Sequence, residues 1–248
     1  MSTPPDLLTV RSALFLDFDG TLAELAPRPD AVVIPNELLS LLERLHVQLG
    51  GAVALITGRA QADIEPLIAP LQLPAAYEHG AVRRAEWGMV SLAPDQVPDL
   101  GPALAAAHAL AARHQGLLVE HKHTAMALHF RLAPELETEC VDAMLDAVQH
   151  NPGLQLLRGK AVVEVKSASV NKGHAIQAFM AEAPFKGRLP VFAGDDVTDE
   201  AGFEVVQRLG GAGIKVGVGH SCALHRIADP QALRAWLAQT SPEISSPR

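Results

Sequence analysis

Hydrophobic and polar positions follow two different textures along this chain. In the first, short apolar runs alternate with stretches of helical period. The run ALFLDF at 13–18 predicts a first strand. The stretch PNELLSLLERLHVQL at 35–49 puts Leu38, Leu41, Leu42, Leu45 and Leu49 on one face of a helix, with Pro35 and Asn36 as the entry signal and Gly50 and Gly51 as the stop. AVALIT at 52–57 predicts a second strand, AQADIEPLIA at 60–69 the next helix, and AAYEH at 75–79 a third strand. Apolar strands separated by helices imply βαβ units and a mainly parallel sheet.

From about residue 83 to 167 the strands instead alternate polar with apolar, as in AMALHFRL at 125–132, LQLLRG at 154–159 and AVVEVKS at 161–167. Helical patterns lie at 102–114 and 134–150. This combination suits an antiparallel sheet with one wet face, backed by two helices. The expected organisation is therefore an α/β core of residues 1–82 and 168–248 carrying an inserted α+β module at 83–167. The first texture returns with a helix at 171–182, strands LPVFAG at 189–194 and AGIKVG at 212–217, and a helix at 230–239. The tail from Thr240 onward reads as frayed.

Composition narrows the field. The chain has 248 residues, 48% of them hydrophobic, which supports a real core and excludes disorder. A formal charge of −8, with a pI near 5.7, speaks against a nucleic-acid or anionic-membrane partner. Cys140 and Cys222 match no metal or redox spacing and read as reduced thiols, with a disulfide between them as the alternative. The N-terminal MSTPPDLLTVRS lacks a basic stretch followed by an apolar one, and ALAAAHALAAR is too short to span a bilayer, so a cytoplasmic location is expected.

In open parallel sheets, the loops at the carboxyl ends of the strands form the ligand crevice. Four polar strand or helix ends would meet there. In DFDGT, Asp17 and Asp19 are two apart on an extended segment and face the same side, and Gly20 permits the tight exit turn. Two carboxylates that close call for a proton or a hard cation such as Mg²⁺ between them. In LITGR, Thr57, Gly58 and Arg59 precede a helix, where a hydroxyl and backbone N–H groups can cradle phosphate or simply cap the helix. In NKG, Lys172 occupies the first helical turn, where a cation is disfavoured unless phosphate or Asp17 partners it; a solvated surface lysine is the alternative. In GDDVTDE, a second apolar strand runs into Asp195, Asp196 and Asp199, and an acidic helix N-terminus capped by Asp196 or Thr198 accounts for only part of that set.

One chemistry uses all four. A carboxylate attacks phosphorus to give an aspartyl-phosphate, a second acid moves the protons, and a cation with a lysine neutralises the phosphoryl oxygens. The roles expected are Asp17 as nucleophile, Asp19 as acid and base, and Thr57 and Lys172 as phosphate holders, with Gly58 and Arg59 beside them. Asp17, Asp19, Asp195, Asp196 and Asp199 are the candidate metal ligands.

DFDGT, LITGR, NKG and GDDVTDE resemble, in order, the four motifs of the haloacid-dehalogenase-like phosphatase superfamily. That resemblance implies a Rossmann-like core with a cap inserted after the third strand. LFLDFDGTLAEL, YEHGAVRR, VEHKHTAMALHFR, GKAVVEVKSASVNKG and FAGDDVTDEAGFEVV together resemble the bacterial trehalose-6-phosphate phosphatases, from about residue 11 to 238. The resemblance implies a Mg²⁺-dependent hydrolase of trehalose 6-phosphate, functionally coupled to a trehalose-6-phosphate synthase. It also implies that Glu120, Lys122, Arg131 and Glu164 grip the sugar. Charges on the wet side of a sheet are the plainer reading of those four. Other sugar phosphates, such as sucrose phosphate or mannosylglycerate phosphate, and a non-catalytic sensor are the rival readings. The chain departs from the family's KPxGxNKG pattern, reading KSASVNKG with Ser167 and Ser169.

Overall fold

The structure is a computed structural model that describes residues 6, 8–26, 31–85, 88–91, 98–122, 124–149 and 151–244. Two compact units are present: Met1–Val90 with Asn171–Arg248, and Ser91–Val170.

The first unit is built on an eight-stranded sheet. Its strands are β1 (Ser12–Leu16), β2 (Val53–Ile56), β3 (Ala75–Tyr77), β4 (Val82–Ala85), β5 (Gly88–Ser91), β10 (Leu189–Gly194), β11 (Ala212–Val216) and β12 (His225–Ile227). They lie in the order β12-β11-β10-β1-β2-β3-β4-β5. All pairings from β12 to β3 are parallel, while β3 and β4 pair antiparallel, with Ala75 opposite Arg84 and Tyr77 opposite Val82. Every residue of β1 and β2 is buried, so both faces of the central strands are covered, as continuous apolar runs require. Helices α1 (Asn36–Gln48) and α7 (Pro230–Ile244) pack together, as do α5 (Lys172–Met180) and α6 (Glu200–Arg208). Phe15 of β1 lies 5.3 Å from Phe185 and 6.1 Å from Phe179, and Phe192 of β10 lies 5.3 Å from Phe203. These rings fix the two strands that end in acids.

Three differences from the sequence reading have clear causes. The inserted module was expected from residue 83, yet β4 and β5 extend the first sheet. Arg84 of β4 donates to the Leu73 carbonyl at 2.8 Å and Arg83 lies 4.7 Å from the Phe179 ring centroid, and these contacts tie β4 to the first unit. The last helix runs past the expected stop at 239, because Thr240 is fully buried against the unit. The third strand stops at Tyr77, and the next two residues turn into left-handed backbone.

The second unit has a four-stranded antiparallel sheet, in the order β6-β7-β9-β8, formed by β6 (Leu118–His121), β7 (Ala125–His129), β8 (Leu154–Gly159) and β9 (Val162–Ser167). Helices α3 (Gly101–Ala111) and α4 (Glu137–Val148) bury one face of it around Leu110, Met126, Leu128, Cys140, Met144, Val163 and Val165. The register aligns Glu120, Ala127, Glu164 and Leu157 in one row on the other face. No described helix is long and apolar enough to cross a membrane.

Candidate active site

The chain leaves β1 toward β2 and β3 on one side, whereas β10 to β12 build outward on the other. The β1–β10 boundary is therefore a topological switch point, where a crevice opens at the carboxyl ends of the strands. Asp17 follows β1 directly, its N–H bonded to the Ala193 carbonyl of β10 at 2.9 Å, and Asp195 follows β10. Beyond Asp17 the chain folds back at once: the Leu22 and Ala23 N–H groups return to the Phe18 carbonyl, at 2.9 and 3.0 Å. Gly20 allows this turn with φ +77°, and a Cβ there would overlap the Asp195 carboxylate. Gly194 serves in the same way, since its missing Cβ leaves the space that the Asp199 side chain fills.

Oxygens of Asp17, Asp195 and Asp199 lie within 4.8 Å of one another. The Lys172 ammonium donates to Asp17 Oδ1 and to Asp199 Oδ1, both at 2.7 Å. Thr21 Oγ1 donates to Asp17 Oδ2 at 2.8 Å, and the Asp196 N–H donates to Asp199 Oδ2 at 2.9 Å. Lys172 stands at the first position of α5 behind an Asn171 cap, whose side chain accepts from the His174 N–H at 2.9 Å. Lys172 is thus a buried ion-paired residue, and its partners are Asp17 and Asp199. Burial alone would depress the Lys172 ammonium, but the two carboxylates hold it above its ordinary value. Burial pushes the Asp17 carboxyl up to about 7; Lys172 opposes that shift, while Asp199 and Asp19 add to it. Asp199 is raised by burial too, against the pull of Lys172.

Three carboxylates against one ammonium leave two negative charges when all are ionised. This all-oxygen donor set fits a hard divalent cation. Two of the five acids predicted as ligands have side chains engaged elsewhere. Asp19 accepts a two-pronged contact from Arg59, at 2.6 and 2.7 Å, and Asp196 caps the 3₁₀ turn Val197–Asp199 in a reciprocal pair with Asp199.

Thr57 is buried, and its Oγ1 accepts the Arg59 N–H at 3.1 Å. Helix α2 (Gln61–Ile68) starts only after Ala60, which offers no side-chain cap, so Thr57 and Gly58 do not cap it. The Arg59 guanidinium, expected near phosphate, here faces Asp19. On the face of the second unit's sheet opposite α3 and α4, Lys122 pairs with Glu164 at 3.0 Å, and Glu120 meets His129 Nε2 at 2.8 Å. The His129 hydrogen bond holds the Glu120 carboxyl below its usual range, against the effect of burial. Arg131 lies past the end of β7, exposed, with Nη2 donating to the Lys160 carbonyl at 3.4 Å. His123, noted in the sequence with His121 and His129, lies outside the described residues.

Sequence reasoning missed Thr21, Lys215 and the pair Glu78 and His79. Lys215 is buried and donates to the Asp195 backbone carbonyl. A lone lysine inside the apolar run AGIKVG is the signal that would have found it.

The trehalose-phosphatase family model matches residues 15–229. The chain is 41% identical over 244 residues to a trehalose-6-phosphate phosphatase of Escherichia coli (strain K12), covering 97% of this chain and 91% of that one. It is 32% identical to a bifunctional trehalose-6-phosphate synthase/phosphatase of Thermoproteus tenax over 240 residues, 94% of this chain and 32% of that protein. The fold matches the C-terminal domain of the C. albicans trehalose-6-phosphate phosphatase with a TM-score of 0.85 at 21% identity, over 94% of this chain and 93% of that one.

Proposed function

The chain belongs to the trehalose-phosphatase family and is a phosphoric monoester hydrolase, and we propose that it converts trehalose 6-phosphate to trehalose and inorganic phosphate. The observation that carries the reading is the buried Lys172 ammonium bridging Asp17, at the end of β1, and Asp199, in the 3₁₀ turn after β10. In the proposed reaction the Asp17 carboxylate attacks phosphorus, the bond to the sugar 6-oxygen breaks, and Asp19 gives that oxygen its proton. Water then attacks the aspartyl-phosphate, loses its proton to Asp19 and frees phosphate. For Asp19 to carry a proton, Arg59 must release one of its oxygens, and the incoming phosphate is the natural new partner for the guanidinium.

Asp17, Asp195 and Asp199 would hold Mg²⁺, which when bound supplies positive charge to the phosphoryl oxygens. Lys172 keeps Asp17 oriented and screens the approaching dianion, while Thr57 and Gly58 shape its seat. Glu120, Lys122 and Glu164 present carboxylates and an ammonium to sugar hydroxyls, with Arg131 at the margin. The synthase fused to the T. tenax relative supports functional coupling to a synthase that makes the substrate.

Phosphate release from trehalose 6-phosphate, with and without Mg²⁺, tests the proposal. The expected result is turnover that needs the metal and is lost by about 10³-fold or more in Asp17→Asn. Equal rates on sucrose phosphate and mannosylglycerate phosphate would overturn the substrate, and full activity of Asp17→Asn would overturn the nucleophile.

A further inference from the structure

The chain after β3 does something costly. Glu78 and His79 take φ of +48° and +58°, followed by Gly80 at +111°, so two consecutive non-glycine residues adopt left-handed backbone. Both are buried, at 5% and 6% exposure. Strain of this kind survives where the surroundings fix it, and it concentrates at working sites. Here the surroundings are the Thr57–Arg59 loop and the start of α5. The Glu78 N–H donates to the Arg59 carbonyl at 3.0 Å, the His79 N–H to the Thr57 carbonyl at 2.9 Å, and the Thr57 N–H to the Ala76 carbonyl at 2.8 Å. The His79 imidazole lies on Gly58, where a Cβ would stand 2.6 Å from Cε1 and 2.8 Å from Nε2. On its other side the turn abuts α5, since a Cβ on Gly80 would stand 2.9 Å from the Ala175 Cβ and 3.3 Å from the Asn171 carbonyl oxygen.

From this geometry we infer that His79 is a positioning residue for phosphate. The strained turn wedges between the two elements that carry Thr57 and Lys172, and the imidazole sets the height of the Gly58 backbone from beneath. Gly58 is then glycine because His79 occupies the volume of its side chain. The inference rests on the proposed phosphatase reading, in which the Thr57–Arg59 loop seats the phosphoryl group.

Titration of inorganic phosphate into the Mg²⁺-loaded protein tests it, beside p-nitrophenyl phosphate turnover. His79→Gly removes the ring and relieves the backbone, so the strain relief offsets part of the cost of the cavity and the protein should stay folded with a lower melting temperature. Its phosphate affinity should nevertheless fall about tenfold, with KM rising by a similar factor and kcat within about threefold. Free imidazole should restore part of that affinity. Gly58→Ala should lose phosphate binding against the intact ring, and Gly58→Ala with His79→Gly should bind phosphate better than Gly58→Ala alone. Wild-type phosphate affinity in His79→Gly, or additive losses in the double variant, would overturn the inference. A wild-type protein that releases phosphate from no ester would instead overturn the phosphatase reading beneath it.

Discussion

Asp17 carries two demands that pull apart. As the proposed nucleophile it must be ionised, yet burial raises its carboxyl to about 7 while Lys172 pulls the other way. A proton and a divalent cation therefore compete for the same oxygens. Because the raised value keeps Asp17 protonated below about 7, cation binding must release that proton, and affinity should climb as pH rises through that value. Between pH 6 and pH 8 the apparent Mg²⁺ affinity is expected to tighten about tenfold. Calorimetry in two buffers of different ionisation enthalpy measures both the affinity and the protons released. An affinity that is flat or falls with pH over this range would contradict the assignment of Asp17 as a ligand. The Lys172 charge does not enter this window, since its two carboxylate partners hold the ammonium above its ordinary value.

At the scale of elements, the site depends on turns as much as on strands. Gly20 combines φ +77° with a Cβ position that falls on the Asp195 carboxylate, whereas Gly187 has φ +79° and nothing within 4 Å of its Cβ position. Alanine at either position incurs left-handed strain of about 1–2 kcal/mol, which corresponds to roughly 2–8 °C in melting temperature for a domain of this size. Only Gly20→Ala should also displace Asp195, weakening Mg²⁺ binding more than tenfold; equal metal affinity in the two variants would refute the cradle. This division explains what was legible in the sequence. Apolar runs flanked by acids revealed Asp17 and Asp195, because burial and charge are written in residue type. Lys172 was legible as a cation in need of a partner at a helix start, though its second partner, Asp199, was not. Strands β4 and β5 were misassigned because VRRA and GMVS lack the continuous apolar run that marks β1 and β2 as part of the first sheet. The Glu78–His79 turn was missed because Glu78 gives no sign of left-handed backbone, and a single histidine, though enriched there, is too weak a signal to mark the turn. The Arg59 contact with Asp19 joins residues 40 apart in sequence, a pairing that depends on strand order.

At the scale of the molecule, chemistry and recognition in the proposed function fall on different units with different physics. The first unit holds its charges at the ends of strands buried on both faces, and this rigidity suits a reaction that needs fixed geometry. The second presents Glu120, Lys122, His129 and Glu164 on one face of an antiparallel sheet whose other face is core. Carboxylates with exchangeable ion-pair partners suit sugar hydroxyls, which can replace Lys122 or His129 as hydrogen-bond donors. If this division holds, a change on that face should act on the sugar and not on the phosphoryl group. Glu164→Gln keeps the side-chain shape but removes the charge facing Lys122, whose side chain is only 8% exposed. Any loss of folded protein lowers turnover on every substrate equally, so the ratio of two kcat/KM values isolates recognition. For trehalose 6-phosphate, kcat/KM should fall by about tenfold or more, the loss typical of one charged hydrogen bond, while p-nitrophenyl phosphate stays within about twofold. Parallel losses on both substrates would place Glu164 outside sugar recognition and return the Lys122–Glu164 pair to a structural role in the sheet.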